Sequence, residues 1–188
     1  MTIYLAMVIL HVVGTAIGAG GATFSDYIFY KSARDGYIDK SELRLLKSAS
    51  KLVIFGLILL IVTGFGFLLH YSLVPGSGVA APKAYAKIII VGIIAINGWY
   101  LHRKVIPLLE EHTHSGRHIA DSVISRHQSI VFASGAVSIF SWYSAMILGA
   151  WRGLTVSTEI ILLIYCVGLV VSVLVAQIVG RFQLARMR

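Results

Sequence analysis

Polar and apolar positions alternate along this chain in long blocks. Apolar runs are broken by short clusters of charge, glycine and proline. A helix that crosses a bilayer needs ~20 largely apolar residues, and the runs predict helices over about 3–30, 50–72, 84–107, 129–150 and 158–180. The breaks between them carry turn chemistry. Asp35-Gly36 is a turn dipeptide, and Asp39-Lys40-Ser41-Glu42 has the spacing of a capping box that starts the second helix. "VPGSGVAAP" (74–82) is rich in helix breakers, "THSG" (113–116) turns the third helix toward the fourth, and Pro107 is expected to kink the third helix or end its regular part. The expected fold is all-α: an integral membrane five-helix bundle in a single transmembrane domain covering 1–188. Helices 1–2 and 3–4 form long hairpins that extend into the cytoplasm, and helix 5 is added to them.

Charge sets the expected orientation. Lys31, Arg34, Lys40, Arg44, Lys47, Lys51, Arg103, Lys104, Arg117, Arg126, Arg181, Arg186 and Arg188 fall on one side, and only Lys83, Lys87 and Arg152 on the other. Thirteen against three places the N-terminus outside and the C-terminus in the cytoplasm. The net charge of +8 therefore reads as topology, and nucleic acid is not expected as a partner. Only 13% of residues are charged and 57% are hydrophobic, which agrees with a multi-pass membrane protein. The first run is read as a retained helix. It lacks a basic n-region, and Asp26, Tyr27, Phe29 and Tyr30 do not form a small-residue cleavage site. Cys166 is the single cysteine, which excludes intrachain disulfides, thiolate zinc sites and iron–sulfur clusters.

Candidate chemistry lies with histidines and glycines. His11 is inside the first run, and Gly14, Gly18 and Gly21 follow at helical spacing on one face. Small residues so placed let helices approach closely, and the same clearance would suit a flat macrocycle. His11 lies ~12 Å below the outer end of helix 1 at ~1.5 Å per residue, and His70 lies near the outer end of helix 2. Both are candidates to face one metal-bearing cofactor, since haem iron takes axial histidine. The competing account is a helix–helix hydrogen bond. His102 and His127 form a second candidate pair at the inner side, beside Arg103, Lys104 and Arg126. Within "EEHTHSGRH" (110–118), His114 and His118 have zinc-ligand spacing, but Gly116 lies between them. A solvated polar loop is the reading, with His112, His114 and His118 as the metal-binding alternative. "DGYIDKSE" (35–42) resembles half a calcium loop, but Lys31 and Ala33 stand where oxygen ligands are needed, so calcium is rejected. Asn97 is expected to join helices by a hydrogen bond. Asp26 is expected to pair with Lys31 or Lys51, and Glu159 with Arg152.

A first helix with "VILHVVG" and a third opening with "YAKIIIVGII" resemble a loose group of bacterial small membrane proteins. The group includes the copper-resistance D-type membrane domain and the J-type protoporphyrinogen oxidase, a b-haem protein. The stretch "GGATFSDYIFYKSARDGYIDKSE" is similar to uncharacterised membrane proteins related to that group. The resemblance covers helices 1–3 and implies a haem ligand at His11 and a functional lysine at Lys87, which would neutralise a propionate or substrate carboxylate. The oxidase pattern continues with a Tyr-His pair where this chain has Asn97-Gly98.

The leading expectation is a membrane b-type haem protein acting in electron transfer or a redox reaction, with quinone as candidate partner and a homo-oligomer as candidate assembly. His11 and His70 would bind iron, the three glycines would give clearance, and His102 and His127 would hold a second haem. The alternatives are a small ion or metal transporter or channel, and a non-catalytic subunit of a membrane complex.

Overall fold

The computed structural model describes residues 2–35, 38–73, 82–115, 127–151 and 153–187. Helix α1 spans Thr2–Asp35 and α2 spans Lys40–Leu73. Helix α3 (Pro82–Tyr100) continues through a π-helical turn, Leu101–Val105, into α4 (Ile106–Ser115). Helices α5 (Gln128–Ala150) and α6 (Thr158–Met187) complete the bundle. All described residues in regular structure are helical. Five segments are long and apolar enough to cross a membrane: Thr2–Ser32, Lys40–Leu73, Pro82–Glu111, Ser129–Ala150 and Thr158–Gln183. Val170, Leu174 and Ile178 of α6 are among the many large apolar residues that face outward, as a lipid-facing surface requires.

Every helix but α5 runs beyond its apolar run. The second begins ten residues before the 50–72 stretch because Asp39 caps it: the Glu42 N–H donates to Asp39 Oδ1 (2.7 Å) and the Asp39 N–H donates to Glu42 Oε2 (3.2 Å). The extension is amphipathic. Leu43 and Leu46 are buried in a small cluster with Ile28, Ile38, Val105, Leu109 and Val131. The ion pairs Lys31–Glu42 and Lys47–Glu110 lie on the same extensions. Lys31 therefore pairs with Glu42 and not with Asp26, as the sequence had suggested. The regular part of the third helix ends just before Pro107, as expected, although the chain stays helical to Ser115. The Ile106 N–H reaches back to the Leu101 carbonyl, and this wide turn just before the proline absorbs the clash its ring would make. The turn residues Gly36, 74–81 and 116–126, together with Arg152, lie outside the described residues.

Helix α1 packs along α2, α5 along α6, and α3 and α1 both lie against α5. The α1–α2 seam is close because glycines meet there. A Cβ on Gly56 would fall 2.6 Å from the Gly18 nitrogen and 2.7 Å from the Gly14 oxygen. The main core joins Ala19, Ala22, Leu60, Ile90, Trp142, Ile161 and Tyr165. At the other end of α3, Lys83 Nζ donates to the Trp151 carbonyl (2.7 Å) and Thr158 Oγ1 to the Pro82 carbonyl (3.0 Å).

Candidate functional site

His11 occupies the α1–α2 seam, and its ring nitrogen Nδ1 is 2.7 Å from Thr63 Oγ1. The same hydroxyl is 2.6 Å from the Leu59 carbonyl oxygen, which can only accept. Thr63 must spend its single proton there. Toward His11 the hydroxyl is therefore the acceptor, and Nδ1 carries the hydrogen. The neutral ring then presents its lone pair at Nε2. That arrangement, Nδ1–H held by an oxygen and Nε2 open, is the one in which metal-ligating histidines are oriented.

The surroundings follow the antiparallel register. Gly18 meets Gly56, His11 meets Thr63, and Tyr4 packs against His70, the tilted rings having centroids 5.0 Å apart. His11 and His70 are thus offset by seven residues, ~10 Å along the helices at ~1.5 Å per residue. Phe67 lies between the two levels, 5.3 Å from the His11 ring and 5.7 Å from Tyr4. The structure does not bring the two imidazoles to one level. Lys87, half-buried on α3, lies within electrostatic range of His11.

The glycine face is filled by protein. Gly14 abuts Leu59 and Gly56, Gly21 abuts Val53, and Gly18 lies against the Trp142 indole. Helix packing, not clearance for a macrocycle, accounts for all three. A haem held in this seam would have to draw on His11 alone, and not on a His11–His70 pair.

At the other end, His102 lies in the π-helical turn, exposed, with Nδ1 3.4 Å from Ser50 Oγ. The His127 carbonyl accepts the first backbone bonds of α5, from Ile130 and Val131. The side chains of His112 and His114, and all of His118, lie outside the described residues, as does the Arg152 partner expected for Glu159. Among the described residues no three His, Cys, Asp or Glu side chains gather as a metal site.

Two residues gain weight that their sequence positions did not give them. Asp26 turns into the bundle, where its Oδ2 is buried without a hydrogen-bond partner. The buried Trp142 Nε1 also lacks one. Both residues border a cavity of about 620 Å³ walled by α1, α2, α3, α5 and α6, although these two atoms are closed off from it. Thr63, the acceptor for His11, carried no signal in the sequence, because one threonine in an apolar run reads as tolerated. Asn97 does join helices, its Nδ2 donating to the Ser134 carbonyl at 2.9 Å. A comparison with protein-family models, with characterised proteins and with solved structures finds no match to the chain.

Proposed function

We propose that this chain is a membrane b-type haem protein acting in electron transfer, with His11 as an iron ligand through Nε2. The observation that carries the reading is the Thr63 hydroxyl, which must accept from His11 Nδ1 because its proton is committed to Leu59. When bound, the haem supplies a one-electron centre. The chain's own residues hold and tune it. Thr63 fixes the ring's tautomer, Phe67 meets the ring in a T-shaped contact, and Lys87 supplies a positive charge for a propionate. His70 is not the opposite ligand in this reading. Quinone is the proposed electron partner, the bacterial cytoplasmic membrane the proposed location, and the N-terminus lies outside. This agrees with the resemblance carried by His11 and Lys87.

The structure gives a transport reading less support. The buried hydroxyls of Ser32, Thr63, Ser134 and Ser141 each donate to a carbonyl of their own helix, so none of the four has a proton to pass to another helix. Titrating haem into purified protein tests the proposal. One haem per chain with a b-type band is expected, and Thr63→Val should weaken its binding by about 10–100-fold, as loss of a metal ligand's supporting partner does. Folded protein that binds no haem overturns it.

A further inference from the structure

The cavity beside Trp142 has no part in the redox reading. Its wall is mainly apolar, and among the described residues of the lining Asp26 is the one acid, with Oδ2 closed off. The cavity opens sideways. Helices α2 and α3 pack only lightly on one another. Ile54 of α2, with Trp99 and His102 of α3, both line the cavity and are exposed. An opening between two apolar helices of a membrane bundle faces lipid.

The mouth is basic. His102 Nδ1 lies 3.4 Å from the hydroxyl of Ser50, another lining residue. Arg103, the next residue, holds its guanidinium over the Trp99 ring, 5.8 Å from the centroid. Stacking uses the face of the guanidinium and leaves the N–H groups along its edge available to an anion. The π-helical turn Leu101–Val105 carries both side chains, and such turns are frequent at functional sites. Lys51 follows Ser50 on α2 and, like Arg103, is exposed. Glu110, further along on α4, is paired with Lys47.

Depth decides what fits. From the level of Ser50 and His102 the lining continues to Leu57 on α2 and Ile94 on α3. These are seven and eight residues deeper, ~10–12 Å at ~1.5 Å per residue. One leaflet holds ~15 Å of hydrocarbon, half of a ~30 Å core. An extended acyl chain therefore runs along most of the slot with its head at the basic mouth. The volume of about 620 Å³ lies in the ordinary range for a bound small molecule. A neutral apolar ligand would fill the slot and leave Arg103 without a counter-charge. Basic pockets between membrane helices suit anionic headgroups for this reason.

We propose that this cavity holds one acyl chain of an anionic phospholipid, with the headgroup phosphate against His102 and Arg103. The inference rests on the membrane-spanning bundle and is independent of haem.

The test is photolabelling of the full chain in phosphatidylcholine nanodiscs that carry a trace of phosphatidylglycerol with a diazirine in its acyl chain. Peptide mapping by mass spectrometry locates the adducts. Labelling is expected at lining positions such as Leu57 and Ile94, and unlabelled phosphatidylglycerol in place of part of the phosphatidylcholine should suppress it. Val170 and Leu174, which face outward on α6, report ordinary lipid contact in the same sample. Gly98 lines the cavity, and a Cβ there meets nothing within 4 Å. Gly98→Leu should therefore fold, as a thermal melt checks, and abolish cavity labelling while α6 labelling stays. Arg103→Gln, at an exposed position, should lower cavity labelling about fivefold, the loss of one charge near an anionic lipid. It decides the matter if Gly98→Leu does not fold. Labelling confined to outward positions overturns the proposal, as does cavity labelling unchanged by Gly98→Leu. Cavity labelling that neither phosphatidylglycerol nor Arg103→Gln reduces overturns the anionic headgroup. Labelling of the cavity by a diazirine fatty acid that phosphatidylglycerol does not displace overturns the proposal in favour of a free fatty acid.

Discussion

Replacing Gly56 by alanine is the sharpest test of the α1–α2 seam, because the new methyl would meet backbone and not a flexible side chain. Its Cβ would lie 2.6 Å from the Gly18 nitrogen, 2.7 Å from the Gly14 oxygen and 2.8 Å from the Gly18 Cα. Ordinary contact begins at 3.4 Å, so the helices must part by about 0.8 Å there. Overpacking costs roughly 1–3 kcal/mol, and three backbone contacts put this site near the top of that range. Alanine's helix preference over glycine offsets ~1 kcal/mol. The net loss should be about 2 kcal/mol. The same shift at the level of Thr63 would stretch its 2.7 Å contact with His11 to about 3.5 Å, where little hydrogen bond remains. Gly64→Ala on the same helix is the control, since its Cβ meets nothing within 4 Å and should be neutral or stabilising. Reversible unfolding in mixed micelles measures both. Equal stability of Gly56→Ala and Gly64→Ala would refute the close seam and the register built on it.

Three further outcomes are expected. Ser141 Oγ donates to the Val137 carbonyl and so accepts from Tyr165 OH at 2.7 Å. Ser141→Ala, which orphans a buried donor, should cost ~1–3 kcal/mol, against ~1 kcal/mol for Tyr165→Phe, in the same unfolding assay. Hydrogen bonds from the Ser41 hydroxyl and the Glu42 N–H hold the Asp39 carboxyl group below its ordinary range. A carboxylate lowered by folding stabilises above its unfolded pKa and loses that contribution as pH falls through the folded value. Melts of wild type and Asp39→Asn should therefore differ at neutral pH and converge in acid below the usual carboxylate range. Asn97→Leu removes a bond between α3 and α5 and should destabilise by ~0.6–2 kcal/mol, read by chemical unfolding.

Much of the fold is legible in the chain because local chemistry fixes it. Apolar runs set the five spans, and Asp39 with Glu42 starts α2 at Lys40 as a capping box should. The runs understate helix length, because hydropathy marks bilayer thickness while Leu43 and Leu46 keep α2 packed beyond it. The site is less legible because it depends on register between helices. Gly18 meeting Gly56 puts Thr63 at His11 and Tyr4 at His70, and no pattern within either helix reveals that match. The histidine offset was partly visible: His11 is nine residues from the start of α1, and His70 three from the end of α2. Asp26 reads as an interfacial acid beside Lys31 until α5 is seen to approach it through Gly135, a side chain too small to fill the space.

The most direct measurement is a dithionite-reduced minus oxidised visible spectrum of haem-supplemented protein, taken for wild type, His11→Ala and His70→Ala. The account predicts a b-type α band in wild type, its loss or displacement in His11→Ala, and its retention in His70→Ala. A band that survives His11→Ala unchanged, or no band in folded wild type, contradicts it.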